Sequence, residues 1–253
     1  PFAFPNVTIA DLSWLWFNNS ICSQIDHEMV EVLDVSGNGY VELAEMCRGY
    51  DEGKIDFKDE KLIESFELMK EFSQYWTSDY NGLDQKNAIE MFARGEVAMV
   101  QAMSTSLEKI QSIVGDSFEY GVMPVPVITE ETNENALGKS VILGGQPDII
   151  FGMNKALEED EEKYAAALDF VQYMSSPEIQ TRLAEEINRI PLATTVELPE
   201  RLAGFTITEE PLRMPWYTGV NEQWRNYFHR TGQEFLSDAI TAEEMAETLN
   251  KSF

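Results

Sequence analysis

Short apolar runs, each bounded by turn-forming residues, alternate along this chain with longer segments of helical period. That alternation limits the fold more than any other feature. The stretch FKDEKLIESFELMKEFSQYW places Leu62, Ile63, Phe66, Met69, Phe72 and Trp76 on one side of a helix. After the turn cluster TSDYNGLD, Asp84 caps a helix whose apolar face is Ala88, Ile89 and Phe92, with Gly95 just past its end. EVAMVQ reads as a short strand and SLEKIQSIV as another helix. EYGVMPVPVI is extended and punctuated by proline, EETNENALGKS is a surface loop, and SVILGGQPDIIFGM reads as two strands broken at Gly144 and Gly145. EEDEEKYAAALDFVQYM reads as a long amphipathic helix with a solvated acidic start that suits its dipole. Ser176 and Pro177 then open a fresh helix as N-cap and first helical residue, and RIPLATT turns the chain. An aromatic segment, RMPWYTGVNEQWRNYF, leads to closing helices around FLSDAI and TAEEMAETLNKSF. Helices alternating with short strands define an α/β or α+β chain. The apolar runs VAMV and DIIFGM are far shorter than the roughly 20 residues of a membrane span.

Charge removes several functions. With 45 acidic against 18 basic residues the formal net charge is −27, so no basic groove for nucleic acid exists and an anionic membrane surface repels the chain. A length of 253 residues fits one large domain or two modest ones, and 43% hydrophobic with 11% aromatic residues is ample for a packed core. Cys22, Cys47, His27 and His229 are too few and too scattered for a zinc centre. The two cysteines either bridge around the loop between them or are buried free thiols, and base rates favour the thiols. Neither G-x-S-x-G nor H-E-x-x-H occurs. The opening PFAFPNVTIADL has neither the charged start nor the apolar stretch of a signal peptide, and no initiator methionine, so we expect a processed chain or a fragment.

One motif stands apart from this alternation. DVSGNGYVELAE, residues 34–45, has the oxygen spacing of a calcium-binding helix-loop-helix. Asp34, Ser36 and Asn38 take the first, third and fifth places, Tyr40 offers its carbonyl, Glu42 acts through water and Glu45 gives two carboxylate oxygens. Gly39 supplies the tight turn, Val41 points inward, and Met29, Val30 and Leu33 form the apolar face of the incoming helix. The outgoing helix is weak, with Gly49 in it. The competing reading is a surface turn from which Tyr40 to Leu43 run on as a strand. With neutral ligands at the third and fifth places and no partner loop, Ca2+ affinity is on the order of 10⁻⁴ M or weaker, suited to a structural staple.

From residue 88 onward a sequence of motifs resembles one known family. AIEMFARGEVAMVQAMSTSLEKI, EYGVMPVPV, GGQPDIIFGMNK, KYAAALDFVQYMSSPEIQ, RIPLATT and TAEEMAETLNKSF occur in the order found in extracellular solute-binding proteins of bacterial ABC importers, in the carbohydrate-binding group that includes maltose-binding protein. The resemblance covers roughly residues 60–253 well, and residues 1–20 more loosely. It implies a periplasmic-binding-protein-like (type II) two-lobe α/β fold, with Pro1 matching a point inside the second lobe and most of the first lobe missing. On that basis residues 1–146 form the second lobe, with a helix-loop-helix insertion at 21–49, residues 147–210 are the returning segment of the first lobe, and residues 211–253 pack back on the second.

The resemblance further implies a binding subunit, not an enzyme, that captures a sugar or oligosaccharide between lobes by hinge closure. Such a monomer works outside the bacterial cytoplasmic membrane, is lipid-anchored there, and hands its ligand to the permease subunits. A sugar needs aromatic platforms and planar hydrogen-bonding groups. The positions the family uses carry Asn6 and Thr8, Ser104 and Thr105, Gly144, Gly145 and Gln146, and Trp216, Tyr217 and Trp224. This sequence lacks the tryptophan that members often carry near residues 104–105, so no stacking platform is implied there. Trp14 and Trp16 read as core, and Trp224 fits core packing at least as well as a platform. Gln146 could simply cap a strand end, and Trp216 could plug two helices. The alternatives are capture of a peptide or polyamine by the same fold, a calcium-responsive interaction protein switched by residues 34–45, and a glycoside-processing enzyme using paired carboxylates.

Overall fold

The computed structural model describes residues 1–8, 13–37, 41–141, 151–206, 212 and 222–252. Contacts divide the chain into two compact units. Unit 1 comprises Pro1–Ala102, Met123–Gly144 and Ile207–Phe253; unit 2 comprises Met103–Val122 and Gly145–Thr206. Residues 103–122 therefore group with 145–206. Among the described residues no helix is long and apolar enough to cross a membrane.

Unit 1 opens with β1 (Phe2–Ala3), then α1 (Ser13–Ile25), α2 (His27–Leu33), α3 (Leu43–Asp51), α4 (Glu60–Ser73), α5 (Gln85–Ala93) and β2 (Met99–Val100). Unit 2 contributes α6 (Leu107–Val114), α7 (Glu161–Met174) and α8 (Pro177–Ile187), and α9 (Glu222–Leu236) and α10 (Ala242–Ser252) complete unit 1. The two strands are parallel, with Phe2 opposite Met99 and Ala3 opposite Val100. Regular ladder is thus sparse among the described residues, and EYGVMPVPVI forms none.

The core of unit 1 follows the expected helical period. Leu62, Phe66 and Met69 of α4 are fully buried and Ile63 and Phe72 pack partly against them. Trp76, just past the helix, stacks face to face on Phe4 at 3.7 Å, and Phe2, Phe17 and Phe72 close around them. Asp59 and Asp84 accept the Lys61 and Asn87 amides as N-caps of α4 and α5.

Helix α1 is buried on nearly every side, including the polar residues Asn18, Asn19, Ser20, Ser23 and Gln24. Part of the reason lies in the segment 123–141, which runs past α1 largely without strand partners. Gln24 supplies them. Its side chain accepts the Ile128 N–H at 2.6 Å and its carbonyl accepts the Leu137 N–H at 3.0 Å. On the α9 side, Gly232 lets the Trp14 indole lie directly on the helix backbone, since a Cβ there would sit 2.4 Å from the ring. Cys22 is buried and Cys47 exposed, both as free thiols, which corrects the expectation that both are inside.

Unit 2 has a smaller core of Leu107, Ala184 and Leu202, with Tyr120, Val122, Leu198 and Phe205 packed around it. Asn188 takes the left-handed conformation (φ 58°) that ends α8. Arg201 then caps that end, donating to Asn188 Oδ1 at 2.8 Å and to the Ala184 and Glu185 carbonyls at 3.0 and 2.8 Å.

Candidate functional site

The chain start places Asn6 and Thr8 in unit 1. Asn6 is buried and every polar group on it is engaged. Its N–H faces the Tyr80 and Leu83 carbonyls at 3.1 and 3.0 Å, and its Nδ2 donates to Asn81 Oδ1 at 2.8 Å. Its Oδ1 lies 3.1 Å from His229 Nε2, and its carbonyl accepts from Gln233 Nε2 at 2.5 Å. Asn6 therefore holds the first segment against α9. Thr8 follows it on the exposed surface. His229 and Gln233 are residues that sequence reasoning missed. Their spacing of four on α9 is the signal that two polar side chains share one face.

Trp224, also on α9, is a core residue, stacked on Phe228 at 5.3 Å and packed on Phe57 at 5.8 Å. Its face is covered, so it offers no sugar platform here. Ser104 and Thr105 belong to unit 2, where Ser104–Ser106 form a tight turn running straight into α6. Thr105 is exposed and Ser104 half-buried. Gly144, Gly145, Gln146, Trp216 and Tyr217 lie outside the described residues. None of these candidate side chains is basic.

Residues 34–45 begin just past one helix and end inside the next: α2 ends at Leu33 and α3 begins at Leu43, so Leu43 starts a helix and does not continue a strand. Val41 is buried in the core of unit 1. Gly49 is no flaw in α3. A Cβ there would lie 2.3 Å from the Leu33 side chain, and its absence brings α3 against α2. Asn38 and Tyr40 lie outside the described residues.

The two terminal carboxylates of the loop are linked through Ser36. Glu45 Oε1 accepts the Ser36 N–H at 2.8 Å and Glu45 Oε2 accepts the Glu42 N–H at 3.0 Å, while Ser36 Oγ reaches Asp34 Oδ1 at 3.4 Å. Those N–H bonds, from Glu42 first and then Ser36, hold the Glu45 carboxyl below its ordinary range. The helical frame and the inward Val41 fit a calcium loop. Both Glu45 oxygens, however, already face amide hydrogens, which an ion would have to displace. Among the described residues no group of three His, Cys, Asp or Glu side chains is arranged to hold a metal.

A groove of about 1210 Å³ in unit 2 has Glu108, Asp116, Glu119, Glu185, Glu186 and Glu200 among its lining residues. Arg201 on its wall is committed to the end of α8. This surface repels anions.

The chain belongs to the bacterial extracellular solute-binding proteins, whose family model matches residues 29–211. Among curated proteins it is 24% identical, over 165 residues, to the sn-glycerol-3-phosphate-binding periplasmic protein UgpB of Yersinia pseudotuberculosis, covering 64% of this chain and 35% of that one. Its fold matches that of a chitin oligosaccharide binding protein (TM-score 0.63, 15% identity, 99% of this chain and 58% of the other). It also matches a sugar transporter from Bacillus licheniformis in complex with stachyose (TM-score 0.63, 16% identity, 100% of this chain and 60% of the other). The chain thus spans about a third of the curated relative and three-fifths of the solved structures.

Proposed function

We propose that the full-length protein is the capture subunit of a bacterial ABC importer, taking up a neutral sugar or oligosaccharide between two lobes that close about a hinge. The observation carrying this reading is the family match over residues 29–211, and the fold shared with oligosaccharide-binding proteins supports it. Ligand stabilises the closed form because both lobes touch it only there. Nothing is covalently changed. The monomer stands outside the cytoplasmic membrane, held by a lipid anchor, and permease subunits read its closed state.

The engaged Asn6 fixes the backbone beneath Thr8, and the turn before α6 presents Ser104 and Thr105. Thr8, Ser104, Thr105, Gly144, Gly145, Gln146, Trp216 and Tyr217 are of the polar, small and aromatic types a sugar needs. Neutral cargo is favoured over glycerol phosphate because phosphate recognition draws on Arg, Lys or clustered amides, and the formal charge here is −27. A thermal-shift screen of the full-length protein tests this. Stachyose or chitin oligosaccharides should raise the melting temperature with no product formed. A shift with sn-glycerol-3-phosphate alone would replace the neutral sugar, and turnover of a glycoside would replace capture itself.

A structural calcium staple at residues 34–45 is a second element of the reading, favoured by the α2–loop–α3 frame with Val41 inside. Asp34, Ser36, Asn38, Tyr40, Glu42 and Glu45 would hold the ion, which supplies positive charge between carboxylates. Binding should be weak, on the order of 10⁻⁴ M, because Glu45 must give up its amide partners. A calcium titration of the melting temperature should saturate near millimolar. A flat titration to that concentration removes the staple.

A further inference from the structure

Three stretches of unit 1 run parallel. Trp76 pairs with Phe2 across a single bridge, while Phe2 and Ala3 pair with Met99 and Val100. The Phe2 N–H donates to the Tyr75 carbonyl at 2.9 Å, the Thr77 N–H to the Phe2 carbonyl at 3.0 Å and the Ala98 N–H to the Pro1 carbonyl at 3.1 Å. The middle stretch is β1, with the segment at Trp76 on one side and β2 on the other. The chain leaves β1 through α1 to α4 for one neighbour, then crosses by α5 to the opposite one. That reversal makes the carboxyl ends of β1 and β2 a topological switch point, the place where open parallel sheets hold their ligands.

Gln101 is the first residue past the end of β2. Two contacts fix it. Its carbonyl accepts from Nε2 of Gln85, the first residue of α5, at 2.7 Å, and its side-chain Oε1 accepts the hydroxyl of buried Ser13 of α1. The start of α5 is itself held at the end of β1, since the Asn6 and Val7 N–H groups reach the Leu83 carbonyl at 3.0 and 3.2 Å. Gln101 Nε2, by contrast, has no partner among the described residues, and Gln101 as a whole is only half-buried. Bracing α1 to β2 uses the oxygen alone. A carboxamide tied at its oxygen and open at its nitrogen presents two N–H donors in a set direction, with little side-chain freedom left to lose on binding.

We infer that the Gln101 carboxamide is a ligand-binding group of unit 1, donating through Nε2 to an oxygen of the cargo, with Ser13 and Gln85 as its positioning residues. The donors select the chemistry of that cargo. A sugar hydroxyl, a ring oxygen or an acetamido carbonyl offers the lone pair they need, whereas an ammonium group offers none. Gln101 takes this role only if the capture reading holds, and it then favours oxygen-rich cargo over a polyamine.

Titration calorimetry of the full-length protein with stachyose and with chitin oligosaccharides tests it. In Gln101→Met the donors are gone, and the affinity for whichever of these probes the wild type binds should fall on the order of tenfold, measured well below the melting temperature. Gln101→Asn keeps the amide but withdraws it by one methylene; it should weaken binding as well, and it supplies the reading if the methionine variant does not fold. Ser13→Ala should weaken binding severalfold on its own and not at all beside Gln101→Met, because it acts through the amide. A brace alone would lower the melting temperature in each variant and leave affinity where it was. Binding that survives both Gln101 substitutions within about twofold overturns the assignment and leaves capture standing. A Ser13→Ala loss that persists beside Gln101→Met overturns the positioning role. A wild-type protein that binds neither probe removes the capture reading, and the role of Gln101 with it.

Discussion

At residue 6 the backbone N–H, the carbonyl and both amide atoms each meet a partner from elsewhere in unit 1, so substitution there strands several buried groups at once. Each buried polar group left unpaired costs about 1–3 kcal/mol. Asn6→Ala should therefore cost about 2–4 kcal/mol in a denaturant melt, with His229 and Asn81 losing their contacts together. Asn18 has the opposite balance. It is fully buried on α1, and neither its Nδ2 nor its Oδ1 has a partner among the described residues. Removing an unpaired amide for an apolar group of similar shape is neutral or favourable. Asn18→Leu should raise stability by up to about 2 kcal/mol, and a loss larger than about 1 kcal/mol would show that the amide is satisfied in solution. The two asparagines cannot be told apart by residue type. Their difference lies in which neighbours the fold delivers, a fact no local pattern contains.

At the scale of elements, two helix caps were readable in advance: Asp84 and Ser176 each accept an amide at the start of the helix they open. Helix α1 was not, because its polar residues mimic a solvated face while in fact one of them, Gln24, serves the unpaired backbone of 126–137. Gly49 misled for a related reason. Propensity scores glycine as a helix breaker, whereas close approach of α2 to α3 requires it. The same logic ranks two substitutions. At Gly49 the added methyl meets the tip of Leu33, which can rotate away; at Gly232 it meets the rigid indole of Trp14 at 2.4–2.6 Å. Gly232→Ala should cost about 1–3 kcal/mol by overpacking, and Gly49→Ala less, as ranked by thermal melts. The start of α3 also carries a pH signature. The Glu45 carboxyl is held below its ordinary range by the Glu42 and Ser36 amides. A depressed carboxylate adds stability that is complete above its unfolded pKa and is lost as pH falls through the folded value. Glu45→Gln should flatten the acid limb of the stability curve below about pH 4.5, the ordinary value, as read from denaturant melts across that range.

At the scale of the molecule, charge discriminates between the two kinds of cargo carried by its relatives. A formal charge of −27 sets up a negative field around the whole chain, and the wide groove of unit 2 concentrates carboxylates further. A phosphate ligand must approach against that field and be neutralised at the site, so its affinity should change steeply with ionic strength. A neutral oligosaccharide feels no such force. Its binding depends on short hydrogen bonds and ring contacts, which salt screens little. For the full-length protein, titration calorimetry with a bound oligosaccharide should give affinities agreeing within about twofold between roughly 0.05 and 0.5 M sodium chloride, a range over which the Debye length falls about threefold. An affinity that rises steeply with salt would mean that the ligand is an anion screened from this surface. One that falls steeply would mean a cation drawn to it, as the polyamine reading requires.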